Sequence, residues 1–217
     1  MNHPCVIGAS GLIGGLIVEE LLQQTNATIT LLVRRPLSLN HPRIKEIIVD
    51  FANQDAVAQA LYGCDTVFVA IGTTRQKVKG NLDAYRKVDY DIPVNVATAC
   101  VQQQITKLLL VSSIGANSQS ANFYLKLKGE VEDVISAKPI PYIGIFQPSL
   151  LLGTRQEFRL REKIGQAIMP VFSFLIPAKY KPIKAATLAK AMLKAALSNA
   201  IGVTRYTYRD MNTMAVS

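Results

Sequence analysis

The chain has 217 residues, 49% of them apolar and 18% charged, with a formal net charge of +9. That length suits one ordinary domain with a sizeable core, and that composition excludes a disordered, fibrous or low-complexity chain. No apolar run approaches the roughly eighteen residues that would span a bilayer, and the stretch 1–4 is too short for a signal peptide, so a cytoplasmic protein is expected.

Apolar, β-branched runs alternate with stretches of helical period, the pattern of repeated β-α units in a doubly wound parallel sheet covered on both faces. The first strand is expected at 5–7, followed by a helix over 12–23 with Ile13, Leu16, Ile17 and Leu21 on one face. A second strand spans 28–33 and a short third 47–49. A short helix at 56–61 ends at Gly63, and a fourth strand covers 66–71 before Gly72. The stretch 94–104 reads as a helix with Pro93 in its first turn, where the missing N–H has no helical partner to lose. The fifth strand is 107–111, a helix at 122–135 stops before Pro139, and the sixth strand is 142–146. The stretch 153–184 has weak periodicity, is broken at Pro170, Pro177 and Pro182, and reads as a loop with short helical pieces on the substrate side. An alanine-rich helix at 187–197 and an edge strand at 204–208 complete one α/β domain over 1–217.

Between the first strand and the first helix stands Gly8-Ala9-Ser10-Gly11-Leu12-Ile13-Gly14. In that context the spacing is a dinucleotide turn. Gly8 permits the tight bend, Gly11 lets backbone approach a pyrophosphate, and Gly14 lets the helix lie close to the sheet. Amides from Ser10 to Ile13, reinforced by the helix dipole, would hold the phosphate charge. At the end of the second strand, where an acid would bind a ribose 2′-hydroxyl, the chain has Arg34 and Arg35. Forked guanidinium groups match a 2′-phosphate, so NADP(H) is the expected cofactor. From topology, Asp50 would meet the adenine, and Ile71 and Gly72 would lie along the ribose-phosphate.

Tyr124 and Lys128 lie four apart on one face of a predicted helix. A second pair with that spacing, Tyr180 and Lys184, falls in a proline-broken basic stretch where no regular helix is expected. A phenol titrating near 10 is a poor base at neutral pH unless a cation favours its phenolate, and Lys128 would supply that cation. Tyr124 would then exchange a proton with a substrate oxygen, with Ser113 hydrogen-bonding that oxygen and Ser112 as the alternative serine.

The positive charge sits in two segments: five bases (Arg75, Lys77, Lys79, Arg86, Lys87) against Asp83, and seven (Arg155, Arg159, Arg161, Lys163, Lys179, Lys181, Lys184) against Glu157 and Glu162. Both are open to reading as solvated loops. Nucleic-acid binding through them is a further alternative, but without aromatic interleaving or a basic helix it is not the expected one. Cys5, Cys64 and Cys100 are odd in number and lie in apolar surroundings, and His3 and His41 are the only histidines, so neither disulfides nor a metal site are expected.

The glycine turn, Arg34-Arg35, Val111-Ser112-Ser113-Ile114-Gly115-Ala116 and the run from Asn122 to Glu132 together resemble the atypical short-chain dehydrogenase/reductases, in particular their NmrA-like and Tat-interacting-protein-like branch of NADPH-binding oxidoreductases. The likeness covers nearly the whole chain and implies a Rossmann fold. It also implies that Leu150, Leu151, Arg155 and Arg159 approach the nicotinamide end. Where that branch has an Arg-Pro pair after strand six, this chain has Gln147-Pro148. The family's larger members recognise nucleotide sugars with a long carboxy-terminal region that has no counterpart here, so sugar epimerisation is not expected.

The expectation is therefore an NADP(H)-dependent reductase of a small carbonyl substrate using Tyr124, Lys128 and Ser113. The alternative is a cofactor-sensing protein that binds a partner. A homodimer is left open. The apolar run 168–176, with Phe172 and Phe174, is open to reading as a substrate wall, a subunit contact or a membrane-touching patch.

Overall fold

The computed structural model describes residues 1–153 and 181–216. Its main sheet has seven parallel strands in the order β3-β2-β1-β4-β5-β6-β9: β1 (Pro4–Ile7), β2 (Ile29–Val33), β3 (Ile44–Ile48), β4 (Thr66–Val69), β5 (Lys107–Val111), β6 (Tyr142–Phe146) and β9 (Gly202–Tyr206). The inner strands are apolar at almost every position because helices cover both faces. Successive residues alternate between them. Cys5, Ile7, Val67, Val69, Leu108, Leu110, Ile143 and Ile145 face one core. Val6, Leu31, Val33, Phe68, Leu109 and Phe146 face the other.

The first core is closed by α2 (Gln54–Ala60), α4 (Ile92–Gln102) and α5 (Phe123–Ser136), through Val57, Val96, Cys100, Val131 and Ile135. The second is closed by α1 (Leu12–Gln24) and α6 (Ala185–Leu197), through Ile17, Leu21, Leu188 and Met192. Burying one Val, Leu or Ile side chain is worth roughly 1.5–3 kcal/mol, against a few tenths for a surface helical pair. The two cores therefore dominate the fold.

Strands five and six stand where expected. Elsewhere the structure differs. β3 begins at Ile44, earlier than expected, because Lys45 and Glu46 interrupt its apolar run on a half-exposed edge strand. β4 stops at Val69, so Ile71 and Gly72 belong to the following loop. β9 starts at Gly202, and a helix absent from the sequence reading, α7 (Tyr208–Val216), follows it. The helix expected at 94–104 is longer at its front. α3 (Leu82–Arg86), capped by the Asn81 side chain on Ala84 N at 2.9 Å, runs through a π turn (Lys87–Asp91) directly into α4. Pro93 is tolerated just after the wider π turn. A second, two-stranded sheet joins β7 (Leu151–Leu152) to β8 (Ile183–Lys184), so Lys184 lies in a strand. Most of the expected substrate-side loop, with Arg155, Arg159, Phe172, Phe174 and Tyr180, lies outside the described residues.

Candidate active site

The strand order reverses between β1 and β4, and a cleft of about 550 Å³ opens at their carboxyl ends. Its floor is the glycine turn. Gly8 has φ +93°, and a Cβ there would stand 2.4 Å from Ala70 O. The Gly11 amide donates to Gly8 O at 2.7 Å. A Cβ on Gly14 would lie 2.1 Å from that same carbonyl, so α1 rests directly on the turn. α1 has no side-chain cap and no acid in its first turn, which leaves its leading amides available to an anion. Gly8, Ser10 and Gly11 line the cleft. Ile13 is buried in the second core and Leu12 packs partly against it, and neither is among the cleft-lining residues.

Arg34 and Arg35 line the same cleft, as do Ile71, Gly72 and Lys77. The arginine loop is fixed by a residue the sequence reading passed over. Glu46 accepts from Leu37 N and Leu39 N, each at 2.9 Å, and the Leu39 and Leu37 amides hold its carboxyl below the usual glutamate range. Asp50 is corrected. Its side chain turns back to accept from Ala52 N at 2.9 Å, and Phe51 is the residue that lines the cleft. This volume lies within the range of roughly 300–1,000 Å³ common for ligand sites. A turn no Cβ could enter, facing two guanidinium groups, fits a phosphorylated dinucleotide.

The second half of the site stands on α5, whose start Asn122 caps by accepting from Tyr124 N at 3.0 Å and Leu125 N at 3.2 Å. Helix α5 presses against the loop after β5 so closely that a Cβ at Gly129 would meet Ser118 N at 2.1 Å. Lys128 Nζ sits 5.9 Å from the Tyr124 ring centroid, and Tyr124 remains 37% exposed. On its other side Lys128 pairs with Asp89 Oδ1 at 3.0 Å, while Asp89 Oδ2 accepts from Thr73 N at 2.7 Å. One carboxylate thus ties the lysine of α5 to the loop lining the cofactor cleft. Asp89 comes from the π turn and carried no periodic signal. Tyr85 closes this corner. Its hydroxyl donates to Thr73 O at 3.1 Å and its ring meets Phe123 edge-on at 5.7 Å. Burial, then the Asp89 and Tyr124 charges, push its phenol up.

The two serines separate by environment. Ser112 is buried and donates to Glu132 Oε1 at 2.5 Å. Ser113 Oγ is half-buried at the rim, with Ile114 O at 3.3 Å. Glu132 also takes Gln147 Nε2 at 2.9 Å and Arg205 Nε at 3.2 Å. Gln147 therefore serves a buried structural carboxylate, and β9 supplies the positive charge there. Leu151 packs with the second core and is not among the cleft-lining residues. Of the first basic segment, Lys77 lines the cleft and Arg86 pairs with Glu130 at 2.7 Å, so neither is simply solvated loop charge. Among the described residues no group of three or more His, Cys, Asp or Glu is placed to hold a metal, and no helix is long and apolar enough to cross a membrane.

Residues 8–196 match a family described as NAD(P)H-binding. Protein HTATIP2 of Rattus norvegicus is 33% identical over 165 residues, 74% of this chain and 67% of that protein. "Protein FMP52, mitochondrial" of Debaryomyces hansenii is 34% identical over 155 residues, 70% and 68% of the two chains. The protein of that name from Candida albicans is 32% identical over 170 residues, 75% and 73%. MoeE5, solved with UDP-glucuronic acid and NAD, superposes with a TM-score of 0.74 at 16% identity, covering 99% of this chain and 81% of that one. UDP-N-acetylglucosamine 4-epimerase from Bacillus cereus gives 0.70 at 17% identity, covering 98% and 83%. At such identities the likeness is one of fold. The FMP52 names overturn the expectation of a cytoplasmic protein. Lack of an apolar span bears on crossing a bilayer and does not specify a compartment. By the family match and these relatives, the chain belongs to the NAD(P)H-binding Rossmann proteins, in the atypical short-chain dehydrogenase/reductase group with HTATIP2 and FMP52.

Proposed function

We propose that this chain is an NADP(H)-dependent oxidoreductase that reduces a small carbonyl substrate. The observation that carries the reading is that Arg34 and Arg35 line one cleft with the glycine turn, while Asp89 ties Lys128 to that cleft's edge. The backbone of Gly8, Ser10, Gly11, Leu12 and Ile13 holds the diphosphate, and Arg34 and Arg35 take the 2′-phosphate. Ile71 and Gly72 run beside the ribose-phosphate. When bound, the nicotinamide supplies or accepts a hydride. Tyr124 gives its phenolic proton to the substrate oxygen, or recovers it in the reverse direction. Lys128 favours the phenolate that remains, and Ser113 donates a hydrogen bond to the same oxygen.

Calorimetric titration with NADPH, NADH and their oxidised forms tests the cofactor. A clear preference for the 2′-phosphorylated pair is expected, and a preference for NADH refutes the assignment to Arg34 and Arg35. Tyr124→Phe tests the chemistry. It should keep cofactor affinity while turnover falls by roughly 10²–10⁴-fold on any accepted aldehyde or quinone. Unchanged turnover removes Tyr124 from the mechanism.

One observation favours a second reading. The Lys128 ammonium already faces the Asp89 carboxylate at 3.0 Å, which lessens the field it exerts on Tyr124. In that reading the chain senses NADP(H) and binds a protein partner, with Tyr124 and Lys128 contacting only the nicotinamide ribose. Cofactor binding with no NADPH consumption across a broad carbonyl and quinone panel is its signature.

A further inference from the structure

A basic loop meets the cofactor cleft on the side away from the two arginines. In the sheet β1 lies between β2 and β4, so the loops that follow β2 and β4 flank the glycine turn from either side. Arg34 and Arg35 follow β2, and Lys77 follows β4. Among the described residues lining the cleft, these three carry the only charged side chains, and none is an acid. Arg75 and Lys79, on the same loop as Lys77, do not line it.

Hydrogen bonds fix the backbone that carries Lys77. Thr73 anchors the start of the loop: its N–H donates to Asp89 Oδ2 at 2.7 Å and its carbonyl accepts from the Tyr85 hydroxyl at 3.1 Å. Val78 N then donates to Thr74 O at 3.2 Å and Lys77 N to Thr74 Oγ1 at 3.3 Å, closing one turn over 74–78. Lys79 (φ +49°) and Gly80 (φ +80°) adopt left-handed backbone, which lets Gly80 N reach back to Arg75 O at 2.8 Å and ends the turn. Asn81 follows at once as the cap of α3. The backbone of Lys77 is thus placed before a ligand arrives, and the cost of ordering falls on its side chain alone.

The geometry points to Lys77 as a specificity-determining residue that binds the 2′-phosphate of NADP(H) together with Arg34 and Arg35, an assignment that rests on the cofactor being NADP(H). A phosphate monoester carries a charge of about −1.5 to −2 at neutral pH and three strong acceptor oxygens. Two consecutive arginines approach it from the β2 side. An ammonium on the β4 side meets the oxygen they leave open, acting as a point charge where the guanidinium groups act as forks. NADH offers an uncharged hydroxyl at that position and gains nothing from Lys77 there. A cation serving the diphosphate instead would help both cofactors alike.

The test is calorimetric titration of the wild type, Lys77→Ala, Lys77→Arg and Lys79→Ala with NADPH and NADH, and with the fragments adenosine 2′,5′-bisphosphate and ADP. The fragments carry phosphates without a nicotinamide, so the readout does not depend on turnover. Lys77→Ala is expected to bind NADPH and the 2′,5′-bisphosphate roughly tenfold more weakly, with NADH and ADP nearly unchanged. Lys77→Arg keeps the charge and should keep most of the preference. Lys79→Ala removes an equal charge from the same loop outside the cleft and should keep all of it. Added salt should narrow the gap between the wild type and Lys77→Ala. A wild type that prefers NADPH, matched by Lys77→Ala with the same preference, overturns the role of Lys77 and leaves the cofactor assignment standing. Equal weakening towards NADPH and NADH overturns the contact with the 2′-phosphate, and an equal loss in Lys79→Ala replaces that contact with the general field of the loop. A wild type that prefers NADH overturns the cofactor assignment itself.

Discussion

Asp89 Oδ1 stands 3.0 Å from Lys128 Nζ, and the two side chains are 1% and 7% exposed. Neither charge is tolerable alone at such a depth, and the second oxygen of Asp89 is held by Thr73 N at 2.7 Å. The lysine expected to act on Tyr124 is therefore fixed in place by a residue of the π turn.

Breaking that pair should be expensive. Asp89→Ala strands a buried ammonium and is expected to lose about 3–5 kcal/mol in denaturant unfolding. Lys128→Met strands the carboxylate instead. The double variant should lose less than the two single losses combined, because removing both charges removes the uncompensated one. Strict additivity in that cycle would show that the pair does not interact.

Gly8→Ala tests the floor of the cleft. The positive φ alone is worth roughly 1–3 kcal/mol of strain, and the new methyl would collide with Ala70 O at 2.4 Å. A lowered melting temperature and the loss of NADPH-dependent stabilisation are both expected. Wild-type stabilisation by NADPH in the variant would place the phosphate elsewhere.

Glu46 makes the arginine loop sensitive to acid. Its carboxyl is held below the usual glutamate range in the folded chain, so its contribution is complete above that ordinary range and is lost as pH falls through the lowered value. Glu46→Gln should weaken NADPH binding at neutral pH, and the gap in binding between it and the wild type should close in acid. A gap that stays constant down to about pH 3 would show that the carboxylate does not hold the loop.

Ser112 and Gln147 share one partner in the structure. Ser112 and Gln147 both satisfy Glu132, with Arg205 reaching the same carboxylate from 73 residues away. A serine pair and a lone glutamine look alike in sequence whether they face a core or a rim. Only the packing of α5 against β5, β6 and β9 separates them.

Local features were legible from residue order alone. The glycine turn, the apolar strands on either side of it, the two arginines after β2 and the Tyr124–Lys128 spacing each depend on near neighbours, whose geometry follows from backbone period and turn chemistry. Tertiary structure decided the rest. Lys128 meets Asp89, Glu46 holds the loop of Arg34 and Arg35, and Glu132 gathers Ser112, Gln147 and Arg205 because the sheet order brings distant segments together. Burial then sets the energy of those contacts, and neither strand order nor burial is written in the spacing of residues along one element.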